Sequence, residues 1–354
     1  MVKPKRNNHL VPKNYLSAWK NQAGKVWVYQ LLVSHKDVDS WKDYPLKKTG
    51  MIRDFYINGI GENVCDKLEV RLEREIEAPA IRVLSKVRNN EVLAQTEWHK
   101  LLRYAFSLSV RTEKYYLDVM SMSREVFPKC LEEIITEISR EGFTSQRNSG
   151  GPNSTEYSGL HPHNAVPINI KVMENKGSTT DLKITALATK NMYHYSIHRF
   201  IDNLEGSPFR FFESFRWIIL QAPKNIMWPT SDNPVVKLGI NADGSYRLNC
   251  HLIDPALQII IPLSPFHVLY TRADNNHTWE KLSPASGDQS ELITEAICKN
   301  ANNAIFALER SSTYEEFQPR TVNKKAYNER KSWLNDMHSN YEEDLSSFPQ
   351  GLID

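Results

Sequence analysis

The residues best equipped for chemistry in this 354-residue chain are few and far apart. The strongest local cluster is Thr230-Ser231-Asp232-Asn233-Pro234. Asp232 can ligate a metal or act as a base, and Asn233 can position a substrate from the same strand end. Ser231 becomes a nucleophile only beside a base, and the chain has no Gly-x-Ser-x-Gly elbow to expose one. The competing reading is an Asx turn at a strand break, because Ser, Asp, Asn and Pro are all turn formers.

His9 opens a short helical segment, and imidazole titrates close enough to neutrality to serve as acid, base or ligand. Lys13 and Tyr15, on the same segment, and Ser231 are the candidate substrate contacts. Arg111 falls between Leu108, Val110 and other apolar residues, where a guanidinium must be paired or face a cavity. It is read as a phosphate clamp, or as half of a structural ion pair with Asp232 or Glu73. Glu69, Glu73 and Glu77 recur every fourth residue and share a helix face. Such a row is ordinarily solvated, and the functional alternative is a metal pair of Asp232 with Glu73, holding Mg²⁺ or Mn²⁺. His194 and His198 have i,i+4 spacing but lack the glutamate of HExxH, and His161-Pro-His163 is read as bland. No phosphate loop, dinucleotide fingerprint or kinase signature is present.

These residues must be positioned by an α+β arrangement. Lys25–Val33 is β-branched and aromatic and predicts an early strand. Apolar periodicity predicts helices over 62–87 (kinked at Pro79), 95–124 and 127–140, the last closing at Gly142. Residues 143–165 are rich in Gly, Ser, Asn and Pro and read as a loop insertion. A weaker helix is expected over 185–201. Strands follow at 215–221, 227–238, 258–263, 267–271 and 303–308, with a helix over 290–301 and a charged helical tail over 322–354. Helices first and strands later exclude regular βαβ alternation. The expectation is a helical N-terminal half (8–142) packed on a mainly antiparallel C-terminal sheet (166–321). The early strand joins them into a single interlocked domain.

Three segments together resemble one family. They are His9-Leu-Val-Pro12-Lys-Asn-Tyr15-Leu16, the helix segment with Ser109-Val-Arg111-Thr112, and Thr230-Ser231-Asp232-Asn233-Pro234-Val235 before Ile261-Pro262-Leu263-Ser264-Pro265. Their order is similar to the uncharacterised bacterial family called domain of unknown function 4238, with its HxxPxxYL, RT(P), SDNP and PLSP elements. Glu113 stands where that pattern has proline, and the 143–165 insertion is a second departure. The resemblance singles out His9 among the 11 histidines. It implies no activity. A role in mobile-element conflict or phage defence is what it suggests.

Composition bounds the remaining choices. Lys plus Arg total 44 against 42 acidic residues, a net charge of +2, which excludes a polybasic protein. The charge is uneven: residues 1–30 carry no Asp or Glu, and residues 336–354 carry no Lys or Arg. A basic edge could therefore meet a nucleic acid or nucleotide. Four scattered cysteines without CxxC spacing, and no apolar leader or spanning run, point to a cytoplasmic protein without membrane contact. The expectation is an effector-type enzyme, a nuclease or a nucleotide or phosphodiester hydrolase, using His9, Arg111, Asp232 and Asn233. The rival is a non-catalytic binding or scaffold module of a multiprotein complex, in which the same residues form a structural polar network.

Overall fold

A computed structural model describes residues 5–57, 66–140, 168–174, 182–188, 190–204, 206–251, 254, 257–272 and 280–336. Two compact units form, Met1–Tyr115 with Asp202–Met337, and Tyr116–Ile201 with His338–Asp354. In the first, β1 (Asn7–His9) leads into α1 (Lys13–Leu16). Strands β2 (Lys25–Gln30), β3 (Leu32–Val33) and β4 (Trp41–Pro45) follow, and β5 (Met51–Arg53) returns antiparallel to β1. The expected strand 25–33 is therefore two strands, in different sheets. Gly50 enters β5 at φ +62°, and a Cβ there would lie 3.1 Å from Val11 Cβ. Only glycine makes that turn easily while its carbonyl accepts the Leu10 N–H at 3.0 Å.

The predicted long helix resolves into α2 (Lys67–Leu72), a π-helical turn (Glu73–Glu77) and α3 (Ala78–Arg88). The irregular turn falls just before Pro79, which has no N–H to donate back. Its buried stripe runs Leu68, Leu72, Ile76, Ala80, Val83, Leu84 and Val87. Ile81 is exposed, since five residues from Ile76 carry it off the buried face. A Schellman cap ends α3: Glu91 N–H bonds Lys86 O at 2.9 Å and Asn90 N–H bonds Val87 O at 3.0 Å, with Asn90 at φ +61°.

Helix α4 (Gln95–Ser107) stops well short of residue 124. The Ser107 and Ser109 hydroxyls bond back to the carbonyls of Tyr104 and Phe106, and a turn replaces the helix. Arg111 thus sits in a break, not on a helix. Thr112 Oγ1 then accepts the Tyr115 N–H at 3.0 Å and caps α5 (Glu113–Arg140). Helix α5 runs on through 127–140, where a separate helix was expected. Gly142 and the 143–165 insertion lie outside the described residues.

In the second unit, β6 (Ile168–Glu174) pairs antiparallel with β7 (Leu182–Ala188), and α6 (Lys190–Asp202) follows. The helix expected from 185 begins five residues later because Leu182-Lys-Ile-Thr-Ala alternates with a period of two.

Back in the first unit come α7 (Ser207–Glu213), β8 (Arg216–Gln221), β9 (Thr230–Ser231) and β10 (Val236–Ile240). They are followed by β11 (Tyr246–Leu248), β12 (Gln258–Ser264), β13 (His267–Arg272) and β14 (Glu280–Pro284). The last elements are α8 (Gly287–Asn300), β15 (Ala304–Ala307), α9 (Ser312–Phe317), β16 (Thr321–Val322) and α10 (Lys324–Asp336). Six strands form one sheet in the order β11-β10-β12-β13-β8-β14, antiparallel except at β8–β14. All seven residues of β12 are buried, as befits a central strand covered on both faces. Leu220, Val236, Leu238, Ile260 and Val268 of this sheet form a core with Ile293, Ala296 and Ile297 of α8.

The early strand joins the late ones as expected, in a second sheet of order β4-β2-β15-β9. The helical region packs on the C-terminal sheet through α3 against β12, and Trp19 Nε1–H donates to Trp228 O at 2.9 Å.

Candidate functional site

The Ser-Asp-Asn-Pro segment is a bracket. Asp232 Oδ1 accepts the N–H of Asn302 at 2.9 Å, and Oδ2 accepts the Asn303 N–H at 2.8 Å and Nδ2–H at 3.0 Å. Asn233 Nδ2–H donates to Asn300 O at 3.0 Å, and Asn300 Nδ2–H returns to Asn233 O at 2.7 Å. Ser231 Oγ accepts the Asn233 N–H at 3.2 Å. These bonds tie β9 to the α8–β15 connection, so Ser231 and Asn233 serve the turn. Tyr15 is equally committed: fully buried, its hydroxyl meets Thr230 Oγ1 at 2.8 Å.

His9 and Arg111 belong to a second, adjoining network. Arg111 Nη1–H donates to Glu77 Oε1 at 2.7 Å and Nη2–H to the His9 carbonyl at 3.0 Å. Its partner is therefore Glu77, not Asp232 or Glu73. The guanidinium lies 6.0 Å from the Tyr56 ring centroid. Burial opposes its charge, yet Glu77 raises its pKa above the usual arginine range. Burial, with Lys13 and Arg111 nearby, pushes His9 down to about 4, so the imidazole is neutral at pH 7. Burial lifts the Glu69 carboxyl to about 7. Among the described residues, four buried polar atoms here have no partner: His9 Nε2, Glu69 Oε2, Arg111 Nε and Tyr104 Oη.

The two networks are joined by residues two apart in the chain, Arg111 donating to the His9 carbonyl and the Glu113 charge acting on Asp232. Glu113 and Asp232 line an open cavity of about 340 Å³. Its apolar lining includes Leu10, Val11, Val28, Leu32, Met51 and Ile52, and its polar lining includes Asn303, Tyr327, Arg330 and Lys48. Arg330 grips Glu113 in a fork, Nε–H to Oε1 at 3.0 Å and Nη2–H to Oε2 at 2.6 Å. Burial, then the Glu113 charge, raises the Asp232 pKa against the three donors that would lower it. Such a carboxyl holds its proton at a higher pH than an exposed one.

A further chain of side chains, Ser264–His267–Asn90, has the connectivity of a nucleophile, base and orienting amide. Ser264 Oγ meets His267 Nδ1 at 2.8 Å, and His267 Nε2 meets Asn90 Oδ1 at 2.8 Å. Ser264 and His267 are buried, and Ser264 Oγ also accepts the Phe266 N–H, so the group locks the β12–β13 turn onto the α3 cap.

Of the residues singled out from the sequence, the structure brings Arg111 to the His9 backbone, and Tyr15 to the segment that carries Ser231, Asp232 and Asn233. Lys13 is exposed beside His9. Glu73 pairs with Lys5, while Asp232 is engaged by residues 302–303. The proposed metal donors therefore serve different partners. Among the described residues no three His, Cys, Asp or Glu side chains are grouped to hold a metal ion. Three cations of the basic arm are paired, Lys5 with Glu73, Arg6 in a fork on Asp54 at 2.7 and 2.6 Å, and Lys25 with Asp43 at 3.1 Å, while Lys13 and Lys20 are exposed. No helix among the described residues is long and apolar enough to cross a membrane.

Glu113, Arg330 and Asn303 line the cavity and are not among the residues singled out from the sequence. Glu113 had a signal, an acidic residue at the first position of a capped helix. Arg330 had none, because its partner lies 217 positions away.

The class so defined is an α+β protein with a six-stranded and a four-stranded sheet among its described residues, and a carboxylate-lined cavity between the early and late parts of the chain. It is a member of the family described as a protein of unknown function, DUF4238, whose model matches residues 7–311. No curated protein and no solved structure matches the chain.

Proposed function

We propose that the protein acts on a small phosphate-bearing molecule of the nucleotide class in this cavity, with Asp232 as the proton-transferring group. One observation carries the reading: Asp232 and Glu113, from two separate recognisable segments, line one cavity of ligand size. The apolar lining of Val28, Leu32, Met51 and Ile52 suits a base or other flat apolar group. Arg330 and Lys48 suit a phosphate. A carboxyl with a raised pKa is a better proton donor and acceptor near neutrality. Hydrolysis of a nucleotide or phosphodiester, and use in defence against foreign nucleic acid, belong to this proposal. So does a nucleic-acid or protein partner.

The decisive assay incubates the purified protein with nucleotides, DNA and RNA, with and without Mg²⁺ or Mn²⁺. Turnover should fall about 10²-fold or more in Asp232→Asn. It should persist in His9→Gln, since His9 faces the other network. Absence of both turnover and binding would favour the second reading, a non-catalytic scaffold module. That reading draws on the closed bonding of Ser231, Asn233, Tyr15 and Arg111.

A further inference from the structure

Helix α10 lies beyond the residues matched by the family model, yet it completes the cavity. Several contacts fix it there. Arg320 Nη1–H and Nη2–H donate to the carbonyls of Val38 at 2.6 Å and Lys36 at 2.9 Å. Strand β16 pairs in parallel with β3, and Asn323 Oδ1 accepts the Ala326 N–H at 3.1 Å, capping the helix. Tyr327, Arg330, Trp333 and Leu334 then fall on one helix face, while Lys324, Lys325, Asn328, Glu329 and Lys331 are exposed. Tyr327 and Arg330 reach the cavity, and Trp333 is buried.

Arg330 uses two of its three nitrogens on Glu113. Among the described residues its Nη1 makes no hydrogen bond, although the residue lines the cavity. A guanidinium is a rigid planar fork, so fixing one edge on a carboxylate orients the other edge at no further entropic cost. Lys48, exposed on the same cavity's lining, has no ion-pair partner among the described residues.

We propose that Arg330 is the specificity-determining residue of the cavity, its Nη1 edge recognising a phosphate group on the ligand while Glu113 holds the side chain in place. The inference rests on the nucleotide-class reading of the cavity and adds to it. The family-matched segment supplies the apolar lining and the two acids, and the C-terminal helix supplies the anion reader.

The test measures calorimetric binding of AMP and adenosine to the full chain. The wild-type protein should prefer AMP by about tenfold or more. Arg330→Met should bring the two affinities together by weakening AMP alone. The charge swap Glu113→Arg with Arg330→Glu restores the ion pair but presents a carboxylate, so it should bind AMP more weakly than adenosine. A preference for AMP that survives Arg330→Met, or that the swap restores, overturns the proposal and reduces Arg330 to a latch. If neither probe binds the wild-type chain, the nucleotide reading itself falls and takes this inference with it. If Arg330→Met fails to fold by circular dichroism, the swap and Arg330→Lys decide; the lysine variant should keep only part of the preference.

Discussion

Arg111 is a cation with almost no access to water, and one carboxylate, Glu77, answers it. Removing one member of a buried pair strands the other charge, which costs about 3–5 kcal/mol, whereas replacing both with apolar groups is often near neutral. Glu77→Gln is therefore expected to lose about that much in urea unfolding, and Glu77→Leu with Arg111→Met should recover most of it. A Glu77→Gln cost below about 1 kcal/mol would mean that the pair is solvated after all. The sequence shows that Arg111 needs a partner, because its neighbours are apolar. It does not show which one. Glu69, Glu73 and Glu77 are equivalent by spacing, and the π-helical turn over 73–77 rotates the row so that Glu77 faces inward and Glu73 meets Lys5.

The elements were legible where periodicity is long. The stripe through Leu68, Leu72 and Ile76 and the run Gln258–Leu263 gave a helix and a strand in place. Apolar spacing also misled, since it continues through 107–112 although serine hydroxyls divert the backbone there. Strands of two or three residues, such as β1, β5 and β9, have no period to read. The Asp-Asn pair was recognised as a turn former, and the structure shows what the turn joins: Asn233 and Asn300 exchange amide bonds across 67 residues. Asn300→Ala leaves two carbonyls, of Asn233 and Val235, without a donor. A loss of about 2–4 kcal/mol is expected, since each buried unsatisfied group costs about 1–3 kcal/mol. Hydrogen exchange should accelerate first in β9 and β15 if this bracket holds those strands. Uniform acceleration across the chain would argue against it.

For the whole molecule, His9, His267, Glu69 and Asp232 shape the pH dependence of stability, Asp232 acting in the same sense as Glu69 because its pKa is also raised. His9 and His267 have folded pKa values lowered to about 4, so the unfolded chain binds more protons between about pH 4 and 6.5, and stability rises across that window. Glu69, raised to about 7, binds more protons when folded, and its contribution is lost as pH rises from about 4.5 to 7. The two histidines oppose the two carboxyls, so thermal denaturation should show stability climbing from pH 4 to 6.5 less steeply than the histidines alone would give, and flattening or dipping toward 7. Glu69→Gln should steepen the climb and remove the dip; a parallel profile would mean that Glu69 is not held as described. The discontinuous make-up of the first unit has a consequence during synthesis. Strand β2, complete at Gln30, finds its sheet partner β15 only when Ala304 has been added. At about 5–20 residues per second the ribosome needs roughly 15–55 s for that interval. One hydrogen-bonding edge of β2 stays without its final neighbour throughout, so the nascent chain, more than the finished one, is the form in need of a chaperone.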